Sequence, residues 1–358
     1  MAGKRVTMAH IAKEAGVSLG TVDRALNNRE GIRDDVKKKI LHIAQDLGYK
    51  KNALASALST KNKKKVAVIY PMKPEFFWTK LNMGIRDAEK EFESYGIEFI
   101  KYKAEEMWAF SENYILQCLD QVLKEKVDLV AMVAYYSVKV KDKLNDIIKA
   151  GIHFVSFNEE YDDVKVLFHV GIDNNKYGRL AAELMGKFLG GHGNILIVNN
   201  STIISSDNHK KRIQEFKNFL KQQFPEVNIV GSFTYDETMN KEYNIDLLKG
   251  ILGSSALLNG VYDFDGTSLS KVGSAIKELD KGGEFVVVGH EISKEVAELL
   301  KENVITGIVS QDPYAQGYEL IKNISHFILH GEGQQNTVHN MDLKIILGEN
   351  SNEQYMID

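Results

Sequence analysis

Several segments of this sequence contain residue types found in catalytic and cofactor sites, but their spacing supports neither role. Segment 190–193 (GGHG) resembles a phosphate-binding loop, yet it precedes an apolar, β-rich run instead of following one, so it predicts a turn. The patterns G-x-S-x-G, H-E-x-x-H and the P-loop are absent, and the ten histidines show no metal-ligand spacing. Neighbours such as His290 and Glu291 point to opposite faces of a strand, so we do not expect them to act together. We therefore predict no enzyme activity, no catalytic residue, no metal site and no cofactor.

The N-terminal segment carries chemistry of another kind, because Thr21 and Arg24 have side chains suited to DNA. Arginine makes bidentate contacts with guanine and threonine can reach a phosphate, although Arg24 could also contact phosphate alone. Residues 1–65 contain fifteen Lys or Arg against six Asp or Glu, a net charge of +9, whereas residues 66–358 contain 30 against 43, a net charge of −13. A polyanionic partner is thus expected for the N-terminal segment alone.

Short helices must position these two residues. The apolar spacing predicts helices over residues 8–15, 19–26 and roughly 34–47. Thr7 can cap the first helix and Gly16 can end it, since glycine tolerates a positive φ, while Ser18 can cap the second. Two helices joined by so short a turn form a helix-turn-helix, in which the second helix enters the DNA major groove. The third helix closes a three-helix core.

The remainder of the chain alternates short β-rich runs with amphipathic helices, such as 81–95 and 177–189. This alternation predicts an α/β fold of parallel sheets, and its length favours two lobes with a cleft between them. The predicted strands are residues 66–70, 97–102, 129–134, 153–157, 194–198, 256–264, 284–289 and 305–310.

Cysteine content and the two ends of the chain bear on where the protein works. A single cysteine, Cys118, permits no internal disulfide, which fits a reducing cytoplasm. Residues 1–5 are basic and lack the apolar run of a signal peptide or membrane anchor. The acidic C-terminal segment GENSNEQYMID has no leucine heptads, so no tetramerising coiled coil is expected.

Residues 6–58 read VTMAHIAKEAGVSLGTVDRALNNREGIRDDVKKKILHIAQDLGYKKNALASAL. This segment resembles, without a gap, the DNA-binding headpiece of the lactose-repressor/galactose-repressor (LacI/GalR) family. Three departures stand out: Asp23 replaces the usual serine, Lys51 replaces the proline before Asn52, and Asp35-Val36 replaces a Thr-Arg pair. Asp23 places a negative charge beside Arg24, so a backbone contact of the family is absent or replaced here.

The resemblance implies which residues meet DNA. Leu19 and Gly20 correspond to base-reading positions and offer only apolar contact or close backbone approach. Segment 52–59 corresponds to a hinge that becomes helical on operator DNA, where Leu58 would wedge into the minor groove, although it could be an ordinary linker leucine. The predicted DNA-binding set is Thr7, Ser18, Leu19, Gly20, Thr21, Arg24, Asn27, Asn52 and Leu58.

The resemblance extends more loosely over the α/β region, which is similar to periplasmic sugar-binding proteins. It implies a ligand site in the cleft, at the carboxyl ends of the strands. One or two of three aromatic rings would stack on a sugar, and polar strand-end residues would bind its hydroxyls. An arginine with two acids favours a neutral polyol over a phosphate. The predicted ligand-binding set is Phe76, Phe77, Trp78, Asn158, Arg212, Asp265, Glu291 and Gln311.

Together these inferences predict a helix-turn-helix domain (1–49), a hinge helix and linker (50–65), and a two-lobed ligand-binding and dimerisation domain (66–358). The predicted protein is a cytoplasmic, homodimeric transcriptional regulator, a repressor, that binds double-stranded operator DNA under the control of a small effector, a sugar. Three alternatives stay open: a sugar-binding carrier, a regulator that responds to a nucleobase or phosphorylated metabolite, and a sugar-modifying enzyme with an added DNA-binding module.

Overall fold

The computed structural model describes ten stretches of the chain. They are residues 6–26, 31–47, 63–106, 109–161, 163–200, 207–236, 241–254, 257–264, 266–331 and 337–351. The chain forms two compact units, Met1–Lys61 and Asn62–Asp358, and each is described by itself. Most of the predicted hinge helix, with Asn52 and Leu58, lies outside the described residues, as do Asn27 and Asp265.

The first unit is a small three-helix domain. Its helices are α1 (Met8–Ala15), α2 (Leu19–Leu26) and α3 (Asp34–Asp46). Gly16 ends α1 with φ 69°, and the Ser18 hydroxyl accepts a hydrogen bond from the Thr21 N–H at 3.2 Å, so both predicted helix boundaries are correct. Ile11, Val22 and Ile40 are fully buried and join one side chain from each helix into the core.

The second unit contains two six-stranded sheets with helices on their faces. Its strands are β1 (Lys64–Pro71), β2 (Ile97–Ala104), β3 (Leu129–Val133), β4 (His153–Phe157), β5 (Phe168–Gly171), β6 (His192–Asn200), β7 (Glu226–Tyr235), β8 (Gly260–Asp263), β9 (Val286–His290), β10 (Gly307–Ser310), β11 (Thr337–Asn340) and β12 (Lys344–Ile346). Its helices are α4 (Glu75–Phe92), α5 (Glu112–Glu125), α6 (Val138–Lys149), α7 (Asn174–Phe188), α8 (Asp207–Gln223), α9 (Lys241–Ser254), α10 (Leu269–Glu278), α11 (Lys294–Lys301) and α12 (Pro313–His330).

Each sheet is the centre of one lobe. The strand order is β11-β5-β4-β3-β1-β2 in lobe 1 and β12-β10-β9-β8-β6-β7 in lobe 2, and every pair is parallel except β10 with β12. Central strands such as β3 are buried along their whole length, as expected for a sheet covered by helices on both faces. The two-lobed α/β fold with parallel sheets predicted from the sequence is therefore confirmed.

The sequence missed four strands for identifiable reasons. Strands β5 and β12 are only four and three residues long, and β11 has alternating partial exposure. Strand β7 lies at the sheet edge and alternates buried with exposed residues, so it lacks the continuous apolar run that marked the others. Gly190 and Gly191 form a turn that leads into β6, as predicted, whereas His192 and Gly193 are already the first two residues of that strand.

The chain passes between the lobes at three described places: from β5 to α7, from β10 to α12, and from β11 to β12. Helix α12 returns to lobe 1 and packs on α4, where two glycines bring the backbones together. A Cβ at Gly84 would lie 2.1 Å from the Tyr314 carbonyl oxygen, and one at Gly317 would lie 2.0 Å from the Leu81 carbonyl oxygen. Because α4 also carries the predicted aromatic residues, this contact fixes one wall of the cleft.

Within the residues that the structure describes, no helix is both long enough and apolar enough to cross a membrane.

Candidate functional site

The predicted DNA-reading helix presents an accessible face. Leu19 is 52% exposed, and Gly20 and Arg24 are also exposed. The Thr21 hydroxyl lies 2.9 Å from the Ser18 hydroxyl, so these two side chains are paired at the start of α2. At the start of α1 the Thr7 N–H donates to His10 Nδ1 at 3.0 Å. Their roles on DNA stay predictions.

Gly20 has no structural reason within the headpiece to be glycine. A Cβ there would meet only the Ser18 hydroxyl, at 3.8 Å. Gly20→Ala should therefore stabilise α2 by up to about 1 kcal/mol, because glycine is a poor helix former. If close backbone approach to DNA is the reason for the glycine, the added methyl should also weaken operator binding about ten-fold, or about 1.4 kcal/mol.

Hydrogen exchange of the α2 amides in the full-length protein measures the first effect of Gly20→Ala. Binding to an operator selected from a random DNA pool by the wild-type protein measures the second effect. Unchanged DNA affinity would show that Gly20 does not lie against the DNA backbone.

The second unit has a pocket between its lobes, where the carboxyl ends of the strands meet. Ligands in open α/β sheets bind at this edge. The cavity measures about 120 Å³. It is small compared with the roughly 300–1,000 Å³ of most ligand sites, which suits a compact ligand. Its lining residues are Pro74, Phe76, Phe77, Trp78, Asn158, Glu159, Ile172, Asn174, His209, Arg212, Thr267, Glu291 and Gln311.

The structure thus brings together seven of the eight predicted ligand contacts, and the eighth, Asp265, lies outside the described residues. A larger concavity of about 590 Å³ lies elsewhere in lobe 1, lined in part by Asp128, Leu129 and His153. Because it lies at the amino ends of β3 and β4, away from the strand ends where ligands of this fold class bind, we take the interlobe pocket as the candidate site.

Three residues that follow strands adopt the left-handed backbone conformation. Asn158 after β4 has φ 59°, Glu291 after β9 has φ 61°, and Asp312, two residues after β10, has φ 53°. Asparagine and aspartate adopt this conformation at little cost, but glutamate rarely does. Strained backbone of this kind is concentrated in binding sites. Here the turn at Glu291 directs its side chain into the pocket edge instead of continuing the strand.

The aromatic wall of the pocket comes from the first turn of α4. Phe77 and Trp78 are each 6% exposed and belong to the core of lobe 1, while Phe76 is only partly buried. The rings of Phe77 and Trp78 meet edge to face with centroids 5.0 Å apart. All three side chains border the cavity, so the prediction that one or two of them stack on a ligand remains open.

Arg212 is the buried cation of the pocket. It is 5% exposed, and it donates from Nη1 to the Phe264 carbonyl at 2.8 Å and from Nη2 to Asn174 Oδ1 at 3.0 Å. Its guanidinium lies 4.4 Å from the centroid of the Tyr177 ring. The buried Nε has no hydrogen-bond partner among the described residues. Of the five N–H groups of an arginine, three therefore make no hydrogen bond within the described residues.

Glu291 is the buried acid of the same pocket. Its Oε1 accepts hydrogen bonds from the Tyr177 hydroxyl at 2.6 Å and from Gln311 Nε2 at 2.8 Å, whereas Oε2 has no partner within the described part of the chain. Burial raises the pKa of the Glu291 carboxyl, while the bonds from Tyr177 and Gln311 and the charge of Arg212 oppose that rise. Arg212 and Glu291 form no ion pair with each other, so both can face a ligand.

Asn158 supplies a further polar group. Its backbone N–H donates to the Val170 carbonyl at 2.9 Å, but its side-chain amide makes no hydrogen bond with any residue that the structure describes. An amide offers both a donor and an acceptor, which suits a hydroxyl group.

Sequence reasoning missed five polar lining residues or their partners: Glu159, Asn174, His209, Thr267 and Tyr177. His209 could have been found, because it precedes Arg212 by three positions and therefore lies on the same face of α8. Burial lowers its pKa well below the usual value of a histidine, so it acts as a neutral side chain. No sequence signal marks Tyr177.

The prediction that His290 and Glu291 point to opposite faces assumed that both lie in one strand, and that assumption is wrong for Glu291. Strand β9 ends at His290, and the positive φ of Glu291 turns its side chain back toward Tyr177. The ring of Tyr177 lies 4.1 Å from that of His290, centroid to centroid, and its hydroxyl binds Glu291. Both side chains therefore contact the same tyrosine.

Comparison with known proteins agrees with this architecture. Residues 66–332 match the family model of the periplasmic binding protein domain, and residues 7–52 match that of the bacterial regulatory proteins of the lacI family. A solved structure, an ABC transporter solute-binding protein from Burkholderia graminis C4D1M in complex with D-arabinose, superposes with a TM-score of 0.71 at 19% identity, covering 82% of this chain and 98% of that one.

Two named relatives are similar to this chain over part of its length. Catabolite control protein A from Priestia megaterium is 27% identical over 236 residues, which span 64% of this chain and 67% of that protein. HTH-type transcriptional regulator RegA from Clostridium saccharobutylicum is 31% identical over 166 residues, 46% of this chain and 47% of that protein. A helix-turn-helix headpiece joined to a periplasmic-binding-protein fold defines a class of ligand-controlled DNA-binding proteins. Over residues 66–332 the chain belongs to the periplasmic binding protein domain family, and its residues 7–52 match the DNA-binding domain of the lacI family of bacterial regulatory proteins.

Proposed function

We propose that this regulator binds operator DNA as a homodimer and that a small, neutral, polyhydroxylated ligand in the interlobe pocket, a sugar, controls its affinity for DNA. The observation that carries this proposal is the pocket itself. A buried arginine and a buried glutamate face one small cavity without pairing, beside a wall of aromatic rings. The D-arabinose complex of the Burkholderia protein supports the choice of ligand class.

The charges of the pocket favour a neutral ligand. The N–H groups of Arg212 can donate to hydroxyl oxygens, and Oε2 of Glu291 can accept from a hydroxyl hydrogen. A carboxylate or phosphate on the ligand would be attracted by Arg212 but repelled by Glu291 in a medium of low dielectric constant, where both effects are large. A hydroxyl group satisfies both residues without burying a further charge.

The lobes offer a mechanism for control. Glu159 of lobe 1 accepts a hydrogen bond from Asn208 Nδ2 of lobe 2 at 2.9 Å, beside the pocket, and this bond would break if the lobes opened. A ligand that contacts both lobes favours the closed state only by as much as it binds that state more tightly. In a two-fold dimer on a near-palindromic operator, such closure would change the separation of the two hinge segments. DNA and ligand then affect each other's binding reciprocally.

A thermal-shift screen of the purified protein against monosaccharides, polyols, sugar acids, nucleosides and sugar phosphates tests the ligand class. A ligand that binds only the folded state raises the melting temperature, by an amount that grows with its concentration. We expect stabilisation by one neutral sugar or polyol. Stabilisation by nucleosides or phosphorylated compounds alone would overturn the sugar assignment and favour the alternative regulator.

DNA binding with and without the active compound tests the regulatory role. We expect the compound to change operator affinity at least five-fold, which corresponds to about 1 kcal/mol of coupling. Arg24→Ala is the control, because it should lose selective DNA binding while its melting temperature still rises with the ligand. A compound that binds but leaves operator affinity unchanged would support a carrier, and its conversion to product would support an enzyme.

A further inference from the structure

Tyr177 lies beneath the pocket, where the chain has just crossed from lobe 1 to lobe 2. It occupies the first turn of α7 and is completely buried. Its hydroxyl lies 2.6 Å from Glu291 Oε1 and 2.9 Å from the Val309 carbonyl oxygen. The Arg212 guanidinium lies over the face of its ring, 4.4 Å from the ring centroid. One side chain therefore contacts both buried charges of the pocket.

The hydrogen-bond pattern indicates which acceptor has priority. A phenol has one proton, so its hydroxyl cannot donate fully to both Glu291 and Val309. The Val309 carbonyl already accepts the backbone N–H of Glu291 at 3.2 Å. The 2.6 Å distance to Glu291 is typical of a hydroxyl that donates to an ionised carboxylate. Gln311 Nε2 donates to the same oxygen, so Oε1 accepts two hydrogen bonds and carries no proton itself.

Gln311 is itself held in this orientation. Gln316 Nε2 donates to Gln311 Oε1 at 2.9 Å and so directs the Gln311 amide nitrogen toward Glu291. With two donors on Oε1, the second oxygen of Glu291 is left for the ligand. The close approach of α7 and α8 completes the arrangement, because a Cβ at Gly178 would lie 2.1 Å from the Arg212 carbonyl oxygen.

We infer that Tyr177 is a positioning residue that holds the Glu291 carboxylate, ionised, as the hydrogen-bond acceptor for a ligand hydroxyl and keeps it apart from Arg212. This inference rests on the proposed ligand role of Glu291. It also deepens that role, because an acceptor fixed in this way selects hydroxyl donors over acids. Tyr177 acts through Glu291 and Arg212 and need not touch the ligand.

Other charged or titratable groups lie near the Glu291 carboxylate, and a test of Tyr177 must distinguish their titration from that of Glu291. The charges of Arg212 on α8 and Lys80 on α4 act on the carboxylate directly. His209 on α8 lines the same pocket, and His290 at the end of β9 lies within hydrogen-bond distance of the Tyr262 hydroxyl of β8. Asp312 acts on Lys80 in turn. Burial lowers the pKa of Lys80 to about 8 and lowers the pKa of His209 and His290 well below the usual range. Burial raises the pKa of the Tyr177 phenol well above 10, so it stays protonated at neutral pH.

The test is a double-mutant cycle on the ligand-free protein. The melting temperatures of wild type, Tyr177→Phe, Glu291→Gln and the double variant are measured between pH 5 and pH 8. Burial raises the folded pKa of Glu291, so stability falls as pH rises from the unfolded pKa through the folded one. Loss of the Tyr177 hydroxyl raises the folded pKa further and deepens this fall. The Tm loss caused by Tyr177→Phe should therefore be about two-fold larger at pH 8 than at pH 5.

In the Glu291→Gln background, Tyr177→Phe should lower the melting temperature by the same amount at pH 5 and at pH 8. Glu291 raises the pKa of Lys80, so Lys80 titrates differently in the two backgrounds. Within each background the two proteins compared differ only at Tyr177, so the titration of Lys80 and the histidines is common to both. Tyr262→Phe is the matched control: its hydroxyl lies 2.8 Å from the Nε2 atom of His290, and its Tm loss should not depend on Glu291. A Tm loss for Tyr177→Phe that is equal at pH 5 and pH 8 would overturn the inference.

Two further results are decisive if the variant is unstable. Tyr177→Phe that folds at pH 5 and unfolds as the pH rises is the extreme form of the expected result. Failure to fold at both pH values in both backgrounds would show a packing role only and would overturn the inference. Because no ligand is needed, these outcomes are independent of the ligand screen. Suppose that no compound in the screen raises the melting temperature but the double-mutant cycle gives the expected pH dependence. That result would count against the proposed function and not against the interaction between Tyr177 and Glu291.

Discussion

Replacing Arg212 by alanine should weaken binding of the effector at least about 100-fold while leaving DNA binding in the absence of effector unchanged. Removal of one partner from a buried, hydrogen-bonded charged site typically costs about 3–5 kcal/mol, and about 1.4 kcal/mol corresponds to each ten-fold in affinity. The substitution also leaves the Phe264 carbonyl and Asn174 Oδ1 without their donors. Glu291 would then remain as a buried anion without a nearby guanidinium.

The measurement is calorimetric titration with the compound that the thermal-shift screen identifies, together with operator binding by fluorescence anisotropy. Arg179→Ala is the matched control. The Arg179 guanidinium also lies over an aromatic ring, 4.8 Å from the Phe219 centroid, and it forms an ion pair with Glu215 at 3.5 Å. Unlike Arg212, it does not line the pocket. We expect its ligand affinity to equal that of wild type. If Arg212→Lys folds and Arg212→Ala does not, the lysine variant should still show the loss, because lysine lacks the planar set of donors. Wild-type affinity in either variant would remove Arg212 from the site.

Adding one methyl group at Gly84 or Gly317 should destabilise the two-lobed unit strongly. The new Cβ would lie about 2 Å from a backbone oxygen of the facing helix. Backbone atoms cannot rotate away as a side chain can, so α4 and α12 must separate. Overpacking of this kind costs about 1–3 kcal/mol or more, and we expect the melting temperature to fall by about 3–10 °C.

Gly250→Ala is the matched control for helix propensity. Gly250 lies in α9, and a Cβ there would meet no atom within 4 Å. This substitution should raise stability by up to about 1 kcal/mol, so the control and the test differ in sign. Gly84→Ala should also weaken ligand binding, because α4 carries the aromatic wall at its first turn and α12 follows directly after Gln311. Melting temperatures of Gly84→Ala at or above that of wild type would show that the close approach of the two helices is not required.

The local sequence determined the headpiece and the order of most elements. Thr7, Gly16 and Ser18 mark helix ends through interactions with residues three or four positions away, so no tertiary information is needed to locate them. The alternation of apolar runs and amphipathic helices similarly indicated the α/β lobes. The resemblance to periplasmic sugar-binding proteins selected polar residues just after strands, such as Asn158 and Glu291, and the shared carboxyl edge of parallel strands explains why such positions lie near one another.

Only the tertiary structure decided how those residues are held. Tyr177 binds Glu291 across 114 positions of sequence and Val309 across 132, and no pattern in the sequence connects them. The left-handed backbone at Glu291 depends on these non-local bonds, because glutamate has no intrinsic preference for it. The need for glycine at positions 84 and 317 is likewise not visible in the sequence, because it arises only where α12 returns to lobe 1 and packs on α4.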